Sequence, residues 1–275
     1  MQKEFSVSMC VYNGDSAEHF DEALTSVFNQ TVIPDEVVLV VDGPVNDGIN
    51  DVISRFENNS IFKVIRLEKN VGHGNARRIG LQNCKNELVA LMDADDICAC
   101  DRFEEQLSVF ENDKEVDVVG GIIEEFIGDK TNIIGKRSVP SDDCQIKEYI
   151  KYRCPFNQMT VMFKKQAVVD AGGYLDWYCD EDYYLWLRMM LNGAKFYNLS
   201  KTLVYVRCGI EMYKRRGGVR YFKSEAKLQK YMLENGVIDL PVYLKNVMMR
   251  LILQVIVPPG IRGWLFKNFA REKAN

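Results

Sequence analysis

Short apolar runs alternate with segments of helical spacing over the first third of the chain. The runs predict four buried strands, at Phe5–Val11, Glu36–Val41, Phe62–Leu67 and Leu88–Met92. Strands covered on both faces of a sheet are apolar almost throughout, as these are. The intervening segments have the apolar spacing of amphipathic helices. The order β-α-β-α-β-α-β predicts an α/β fold, with a parallel sheet that carries helices on both faces.

The pattern becomes less regular after a predicted helix at Arg102–Asn112. Further elements are predicted as strands at Val116–Gly120 and Thr160–Phe163, extended chain at Ile122–Val139, and helices at Cys144–Arg153, Gln166–Ala171 and from about Asp180. We therefore predict one domain over residues 1–240, in two halves at 1–115 and 116–240, followed by an amphipathic helical tail at 241–275.

Polar residues gather where the predicted parallel strands end. Ligands of such sheets bind beyond the carboxyl ends of the strands, where Tyr12-Asn13, Asp42, the Gly72 loop and Asp93 to Asp96 all fall. Buried carboxylates cost several kcal/mol each unless a cation or hydrogen bonds offset the loss of water. Oxygen ligands of this type suit Mg²⁺ or Mn²⁺. A solvated acidic turn is the alternative, and the buried strand before Asp93 favours the metal site.

Three other features of this edge leave alternatives open. Gly72-x-Gly74 is either part of a binding loop or a plain strand–helix connection. Arg77 either pairs with phosphate or is a solvated helix charge. Asp42 either bonds a base or ribose or is a simple turn carboxylate.

A second acidic group, Asp180-Glu181-Asp182, precedes an apolar, aromatic helix. Carboxylates at the first turn are stabilised by the helix dipole, by up to about 1 kcal/mol. Capping explains one of the three acids. Three in a row beside aromatic residues predict a chemical role.

Composition narrows the possible partners. A net charge of −4 and a pI of about 5.5 argue against a nucleic-acid binder. Eight cysteines without a CxxC pair, and only two histidines, disfavour a zinc site and fit reduced thiols in the cytoplasm. The first residues lack the features of a signal peptide, and no apolar run reaches the roughly 18 residues needed to cross a bilayer.

The predicted tail is apolar from Val242 to Val257 except for a stripe at Asn246, Arg250 and Gln254. Beyond Pro258, one predicted helical face carries Ile261, Trp264, Leu265 and Phe269, with Arg262, Lys267 and Arg271 on the same turns. Either this is a helical hairpin packed on the domain, or it lies on an anionic membrane surface. Every predicted catalytic residue precedes Asn235, so removal of the tail is expected to spare the active site.

Taken together, these segments resemble the inverting family-2 glycosyltransferases with the GT-A fold, most closely the branch associated with bacterial capsule and exopolysaccharide assembly. The resemblance runs from Phe5 to about Asn235. The matching segments are Ser8–Gly14, Ser26–Thr31, Pro34–Pro44, Asn70–Gly80, Met92–Asp96, Asn157–Phe163, Ala171–Tyr174, Glu181–Met189 and Met212–Gly218. The implied fold is a Rossmann-like mixed, mainly parallel sheet with flanking helices, in which residues 1–115 bind the nucleotide-sugar and 116–240 the acceptor.

The resemblance also implies site residues. The nucleotide-sugar would be held by Val11, Tyr12, Asn13, Asp42, Gly72, Arg77, Met92, Asp93, Ala94, Arg215 and Arg216. Tyr12 and Asp42 would lie near the nucleobase and Asp93 near the ribose. Asp95, with Asp93, would hold Mn²⁺ or Mg²⁺. Asp182 would be the catalytic base, with Glu181 orienting the base or the acceptor.

Two positions depart from the family pattern. Many relatives have histidine where this chain has Gln158, and many have histidine where it has Cys208-Gly209.

The implied activity is metal-dependent, inverting transfer from a nucleoside-diphosphate sugar, expected to be a UDP-sugar. The acceptor would be a saccharide or lipid-linked saccharide, and the expected location is the inner face of the bacterial cell membrane. Two rivals are a sugar-phosphate nucleotidylyltransferase, disfavoured by the acidic, single-glycine Tyr12-Asn13-Gly14-Asp15 turn, and a non-catalytic binding subunit, disfavoured by retention of Asp95 and Asp182.

Overall fold

Four parallel neighbours make one half of the sheet in the computed structural model, which describes residues 4–209, 217–258 and 260–262. These strands are β1 (Phe5–Val11), β2 (Glu36–Val41), β3 (Phe62–Arg66) and β4 (Leu88–Met92), connected by helices α1 (Ala17–Phe28), α2 (Asp47–Phe56) and α3 (His73–Asn83). Their spatial order is β3-β2-β1-β4. The strand order reverses between β1 and β4, which is where such sheets open a crevice for ligands.

The sheet continues into a mixed half. Its elements are β5 (Ile97–Cys98), α4 (Arg102–Asn112), β6 (Val118–Phe126), β7 (Ile133–Arg137), α5 (Asp143–Tyr149), β8 (Met162–Lys164), α6 (Lys165–Asp170), α7 (Glu181–Leu191) and β9 (Phe196–Arg207). The order extends from β4 through β8, β6 and β9 to β5, and β7 pairs with β6. Strand β8 runs antiparallel to β4, whereas β6 and β9 run parallel to each other.

The C-terminal part is helical. Helix α8 (Val219–Glu234) is followed by α9 (Leu240–Leu251), which continues as a π-helical turn at Ile252–Ile256. None of the helices in the described ranges has the length and hydropathy needed to span a bilayer.

Helices cover both faces of the sheet, as predicted. In β4, Leu88, Ala90 and Met92 face a core built with α1, α2 and α4, while Val89 and Leu91 face a second core built with α3, α5 and α7. This division follows from the two-residue repeat of a strand. The continuous apolar run of β4 is therefore the signature of a central strand, and its polar continuation at Asp93 marks the edge of the core.

The sequence misplaced several elements of the mixed half. A short 3₁₀ turn occupies Gln158–Thr160, so the predicted strand begins only at Met162. Strand β9 was not predicted at all. Its pairing with β6 is interrupted by two register shifts, and its polar residues break the alternation that marks a strand in the sequence. Helix α8 was also missed.

Candidate active site

The carboxyl ends of β1, β2 and β4 converge, as predicted. Val11 O accepts a hydrogen bond from Asp42 N at 2.8 Å, and Met9 of β1 is paired with Met92 of β4. Tyr12 and Asn13 extend from β1 into solvent, and Ala94 is buried beyond β4. The structure thus brings together the segments that the sequence assigned to the nucleotide-sugar.

Asp42 is a buried carboxylate that positions the loop before α3. Its Oδ1 accepts a hydrogen bond from Val71 N at 2.7 Å, and its Oδ2 accepts one from Gly72 N at 3.2 Å. Gly72 has a φ of +86°, which few residues other than glycine adopt. The Gly72 loop is therefore fixed to the end of β2, and a contact of Asp42 with a nucleobase stays a prediction.

Arg77 is not a solvated helix charge, and a contact of Arg77 with phosphate stays a prediction. Its guanidinium is buried and pairs through Nη2 with Oδ1 of Asp93, while its Nε donates to His73 Nε2 at 3.1 Å. Burial opposes the charge on Arg77, but the adjacent Asp93 carboxylate raises the pKa of the guanidinium above its usual range. Arg77 and Asp93 therefore form an ion pair at the end of β4.

His73 extends this connection to the second acidic group. Its Nδ1 lies 2.9 Å from Glu181 Oε1. Because Nε2 accepts from Arg77, the Nδ1–H group is the one that donates a hydrogen bond to Glu181. Burial, the largest single influence, raises the pKa of Glu181, but the hydrogen bond to His73 and the nearby Arg77 charge are among several effects that together outweigh it, so the pKa of Glu181 is lowered. A continuous polar chain therefore links Asp93 at the end of β4 with the start of α7.

The three acids after β4 have three different environments. Asp93 is the partly buried partner of Arg77, whereas Asp95 is exposed at the tip of the turn. Asp96 is buried, and its Oδ1 accepts from Arg207 N at 2.9 Å. Burial, then repulsion by Asp95, raises the pKa of Asp96 well above its ordinary value. Asp96 therefore anchors the turn to β9 and leaves Asp95 facing solvent.

The acids at the start of α7 are not explained by capping. Asp180 occupies the N-cap position, but its side chain makes no capping hydrogen bond. The preceding residue, Cys179, has a φ of +61°, which is costly outside glycine and concentrates at functional sites. The backbone is therefore held in an unfavourable conformation next to the predicted base.

Asp182 has the properties of a base that works near neutral pH. Burial, reinforced by the neighbouring Glu181 carboxylate, raises the pKa of Asp182 to about 6. Its Oδ1 accepts from Tyr183 N at 2.6 Å, and Cys154 Sγ lies 3.9 Å from its Oδ2. A general base is most effective when its pKa is close to the working pH.

Glu225 lies on α8, the helix that the sequence analysis missed, and connects this segment to the C-terminal helix α9. It pairs with Arg250 Nε at 2.9 Å and accepts a hydrogen bond from Gln254 Nε2. Burial, then repulsion by Glu225 and Asp182, raises the pKa of Asp180 to about 8, which favours the protonated carboxyl at pH 7. Neutral Asp180 avoids adding a further buried charge beside Glu225.

A cleft of about 620 Å³ joins these parts. This volume lies within the range of about 300–1,000 Å³ that is usual for small-molecule sites. Asp93 and Gln158 line it with the start of α7, and Met249, Arg250, Leu253 and Gln254 form a further wall. The tail is therefore part of the site, which corrects the expectation that its removal would spare the cleft.

Two predicted residues, Arg215 and Arg216, lie outside the described residues. The sequence analysis did not assign to the site three residues that line the cleft, Glu225, Arg250 and Gln254, or His73, which contacts Glu181. Only the four-residue spacing of the tail's polar stripe gave any signal, and that spacing alone does not tell which neighbour the stripe contacts.

Known proteins are similar to this chain in sequence and in fold. The profile of Glycosyl transferase family 2 matches residues 6–172. The UDP-Gal:alpha-D-GlcNAc-diphosphoundecaprenol beta-1,3-galactosyltransferase of Escherichia coli is 37% identical over 272 residues, which cover 98% of this chain and 97% of the relative. The amylovoran biosynthesis glycosyltransferase AmsE of Erwinia amylovora is 39% identical over 229 residues, covering 83% of this chain and 85% of the relative.

Among solved structures, residues 1–349 of Staphylococcus aureus TarS in complex with UDP-GlcNAc superpose with a TM-score of 0.67 at 20% sequence identity. This match covers 96% of the chain and 75% of the TarS fragment, and it supports the GT-A fold. The profile match covers more than half of the chain, and both relatives are more than 30% identical to it over more than two thirds of its length. The chain belongs to glycosyl transferase family 2 and is a glycosyltransferase.

Proposed function

We propose that this enzyme transfers a sugar, with inversion, from a UDP-sugar to a hydroxyl of a lipid-linked saccharide during surface polysaccharide assembly. The observation that carries the proposal is the placement of Asp182, a carboxylate with a pKa near neutrality, in the same cleft as Asp93. The donor and acceptor classes are supported by the name of the Escherichia coli relative. Membership of the family argues against the nucleotidylyltransferase alternative.

Asp182 has the central role in the proposed reaction. The acceptor oxygen attacks the anomeric carbon as the bond from that carbon to the diphosphate oxygen breaks, and the nucleoside diphosphate leaves with the electron pair. Asp182 takes the proton of the acceptor hydroxyl as the new bond forms. Inverting transfer needs only this one base. Glu181, held by His73, is placed to orient the base or the acceptor.

The residues at the end of β4 fit a divalent cation that shares its coordination with substrate. Within the ranges that the structure describes, no cluster of three or more histidine, cysteine or acidic side chains is suited to hold an ion without help. Mg²⁺ is usually bound by one or two carboxylates together with water and substrate phosphates, and exposed Asp95 beside Asp93 provides such a set. When bound there, Mg²⁺ or Mn²⁺ would act as a Lewis acid that offsets the charge of the departing diphosphate.

We further propose that the enzyme works as a peripheral protein on the cytoplasmic face of the cell membrane. A lipid-linked acceptor is confined to that surface, whereas the nucleotide-sugar donor is water-soluble.

A donor screen tests the proposal directly. Purified enzyme is incubated with UDP-, GDP- and dTDP-sugars and an acceptor saccharide carried on a lipid diphosphate, in the presence of Mn²⁺ or EDTA. We expect transfer from a UDP-sugar only with the metal present, and an inverted anomeric configuration of the product by NMR. Transfer from another nucleotide, undiminished transfer in EDTA, or retained configuration would each contradict a named part of the proposal.

The activity should also depend on pH through Asp182. Because the base acts as a carboxylate and burial raises its pKa to about 6, kcat should rise as the pH increases through that value and then level off. The measurement is kcat at saturating substrate between about pH 5 and about pH 8. A circular dichroism spectrum at each pH controls for unfolding. A profile that is flat across this window would show that Asp182 is not the base.

A further inference from the structure

The C-terminal helix buries its polar face and exposes its apolar face, which is the reverse of an ordinary surface helix. Its polar residues Asn246 and Gln254 are buried, and Arg250 is nearly so. Asn246 Nδ2 donates to Lys151 O at 2.9 Å and to Gln229 Oε1 at 2.8 Å, while Arg250 Nη2 donates to Tyr152 O at 2.9 Å. The helix is therefore attached to the domain by its polar stripe.

The opposite face is apolar and exposed. It forms a ridge of aliphatic side chains four residues apart, at Leu240, Leu244, Met248, Ile252 and Ile256. Four of them are more than half exposed, which is unusual because helices of soluble proteins turn their apolar stripe to the core. A contiguous exposed apolar patch marks an interaction surface.

We propose that this ridge is a bilayer-contact surface, which seats the tail wall of the cleft on an anionic membrane. The proposal rests on the proposed function in one respect, since it explains how a lipid-linked acceptor reaches Asp182.

Charge favours a membrane as the occupant. Between Asp239 and Glu272 the sequence contains no carboxylate, although the whole chain has a net charge of −4. The same stretch carries the basic residues Lys245, Lys267 and Arg271, apart from Arg250, which pairs with Glu225, and Arg262, which is buried. Lys245 is exposed and adjoins the ridge. Basic residues beside an apolar helical face are the combination that binds anionic bilayers, with the apolar side chains at the acyl boundary.

The composition of the ridge disfavours a protein partner. Protein interfaces concentrate binding energy in tyrosine, tryptophan and arginine, whereas the ridge consists of leucine, isoleucine and methionine. A bilayer needs no complementary shape and accepts such a surface. The sequence beyond the ridge adds Trp264, and tryptophan is enriched where membrane meets water.

The ridge lies next to the cleft, which relates the proposed membrane contact to catalysis. Met249 and Leu253, next to ridge residues on the same helix, line the cleft that also contains Asp182. Insertion of the ridge therefore places the tail wall of the cleft at the membrane surface. A saccharide on a lipid diphosphate enters from that side without leaving the bilayer.

The test is a charge substitution on the ridge with a matched control. The variant Leu244→Glu/Met248→Glu changes two exposed residues that do not line the cleft. The control, Ile33→Glu/Val169→Glu, makes the same change at two sites that are each 50% exposed elsewhere on the molecule. Binding is measured by co-sedimentation with vesicles of phosphatidylcholine and phosphatidylglycerol in equal parts, and oligomeric state by light scattering.

We expect the wild type and the control to sediment with the vesicles. The partition coefficient of the ridge variant onto the vesicles should be lower by a factor of about ten or more. Added salt should weaken wild-type binding without abolishing it, because the apolar contribution is not screened. Transfer to a water-soluble analogue of the acceptor should be the same in the ridge variant and the wild type, which separates loss of docking from loss of catalysis.

Three outcomes would overturn the proposal. The first is a wild-type protein that does not bind these vesicles at low salt, and the second is a ridge variant that binds them as well as the wild type. The third is a wild type that dimerises while the ridge variant is monomeric, because the ridge would then be a contact between two copies. A protein that binds vesicles through the ridge but transfers no sugar would instead refute the proposed function.

Discussion

Asp182→Asn is expected to lower kcat by about 10²–10⁴-fold while donor affinity changes little. The amide is nearly isosteric with the carboxylate, and its oxygen can still accept from Tyr183 N, so the start of α7 should keep its conformation. What it loses is the capacity to take the proton of the acceptor. Turnover with a UDP-sugar and titration calorimetry with UDP, carried out on the same preparation, measure the two quantities separately.

Asp180→Asn is the matched control. It makes the same chemical change two residues away, at a carboxyl whose pKa of about 8 already favours the protonated form at pH 7. Its loss of turnover at pH 7 should therefore be much smaller than that of Asp182→Asn. If Asp182→Asn binds donor poorly yet turns over normally, Asp182 belongs to donor binding, and Glu181 becomes the next candidate base.

The sequence was informative wherever a local pattern decided the structure. Strands β2 and β4 and helix α4 were predicted to the residue, because central strands are apolar without interruption and α4 has a clear helical repeat. Strand β1 was found despite its serines. Ser8 faces α3 at Gly80, where a Cβ would lie 2.5 Å from the serine Oγ. A small residue on each side permits this close approach of helix and strand.

Contacts between distant segments were beyond reach of the same reasoning. Arg77 and Asp93 were each predicted as ligands of the donor, but their pairing depends on how α3 packs beside β4. His73 gained its role only because α7 begins next to α3. The local pattern reveals a residue's chemistry and the face of its element, whereas its partner depends on the packing of elements far apart in the chain.

The tail illustrates the same limit in another form. The stripe of Asn246, Arg250 and Gln254 was visible in the sequence, and both a packed hairpin and a membrane helix were considered. In the structure the polar stripe packs on the domain and the aliphatic ridge faces outward, whereas membrane contact stays a proposal. A hydrophobic pattern shows that the two faces of a helix differ, but it does not show which face is buried. A polar face can be buried as well, provided that hydrogen-bonding or ionic partners such as Glu225 are present.

Asp95→Ala is expected to reduce transfer by about 10³-fold, since a bound cation supplies several kcal/mol of stabilisation to the departing diphosphate and each 1.36 kcal/mol is a factor of ten. The fold should survive the change. Asp95 is exposed, and the turn is anchored instead by buried Asp96, which accepts from Arg207 N. Arg207 Nε bonds the backbone oxygen of Asp95 at 3.2 Å, a contact that alanine preserves.

The decisive measurement for Asp95 is metal-dependent binding rather than activity alone. In the wild type, Mn²⁺ should tighten binding of UDP in a calorimetric titration, and Asp95→Ala should bind UDP with equal, weak affinity with or without the metal. Asp51→Ala is the control, because it removes an exposed carboxylate from α2, on the same half of the domain, and should leave the effect of Mn²⁺ intact. If UDP binding to Asp95→Ala still tightens with Mn²⁺ as in the wild type, the ion is held by other groups, and Asp93 with the diphosphate becomes the site to test.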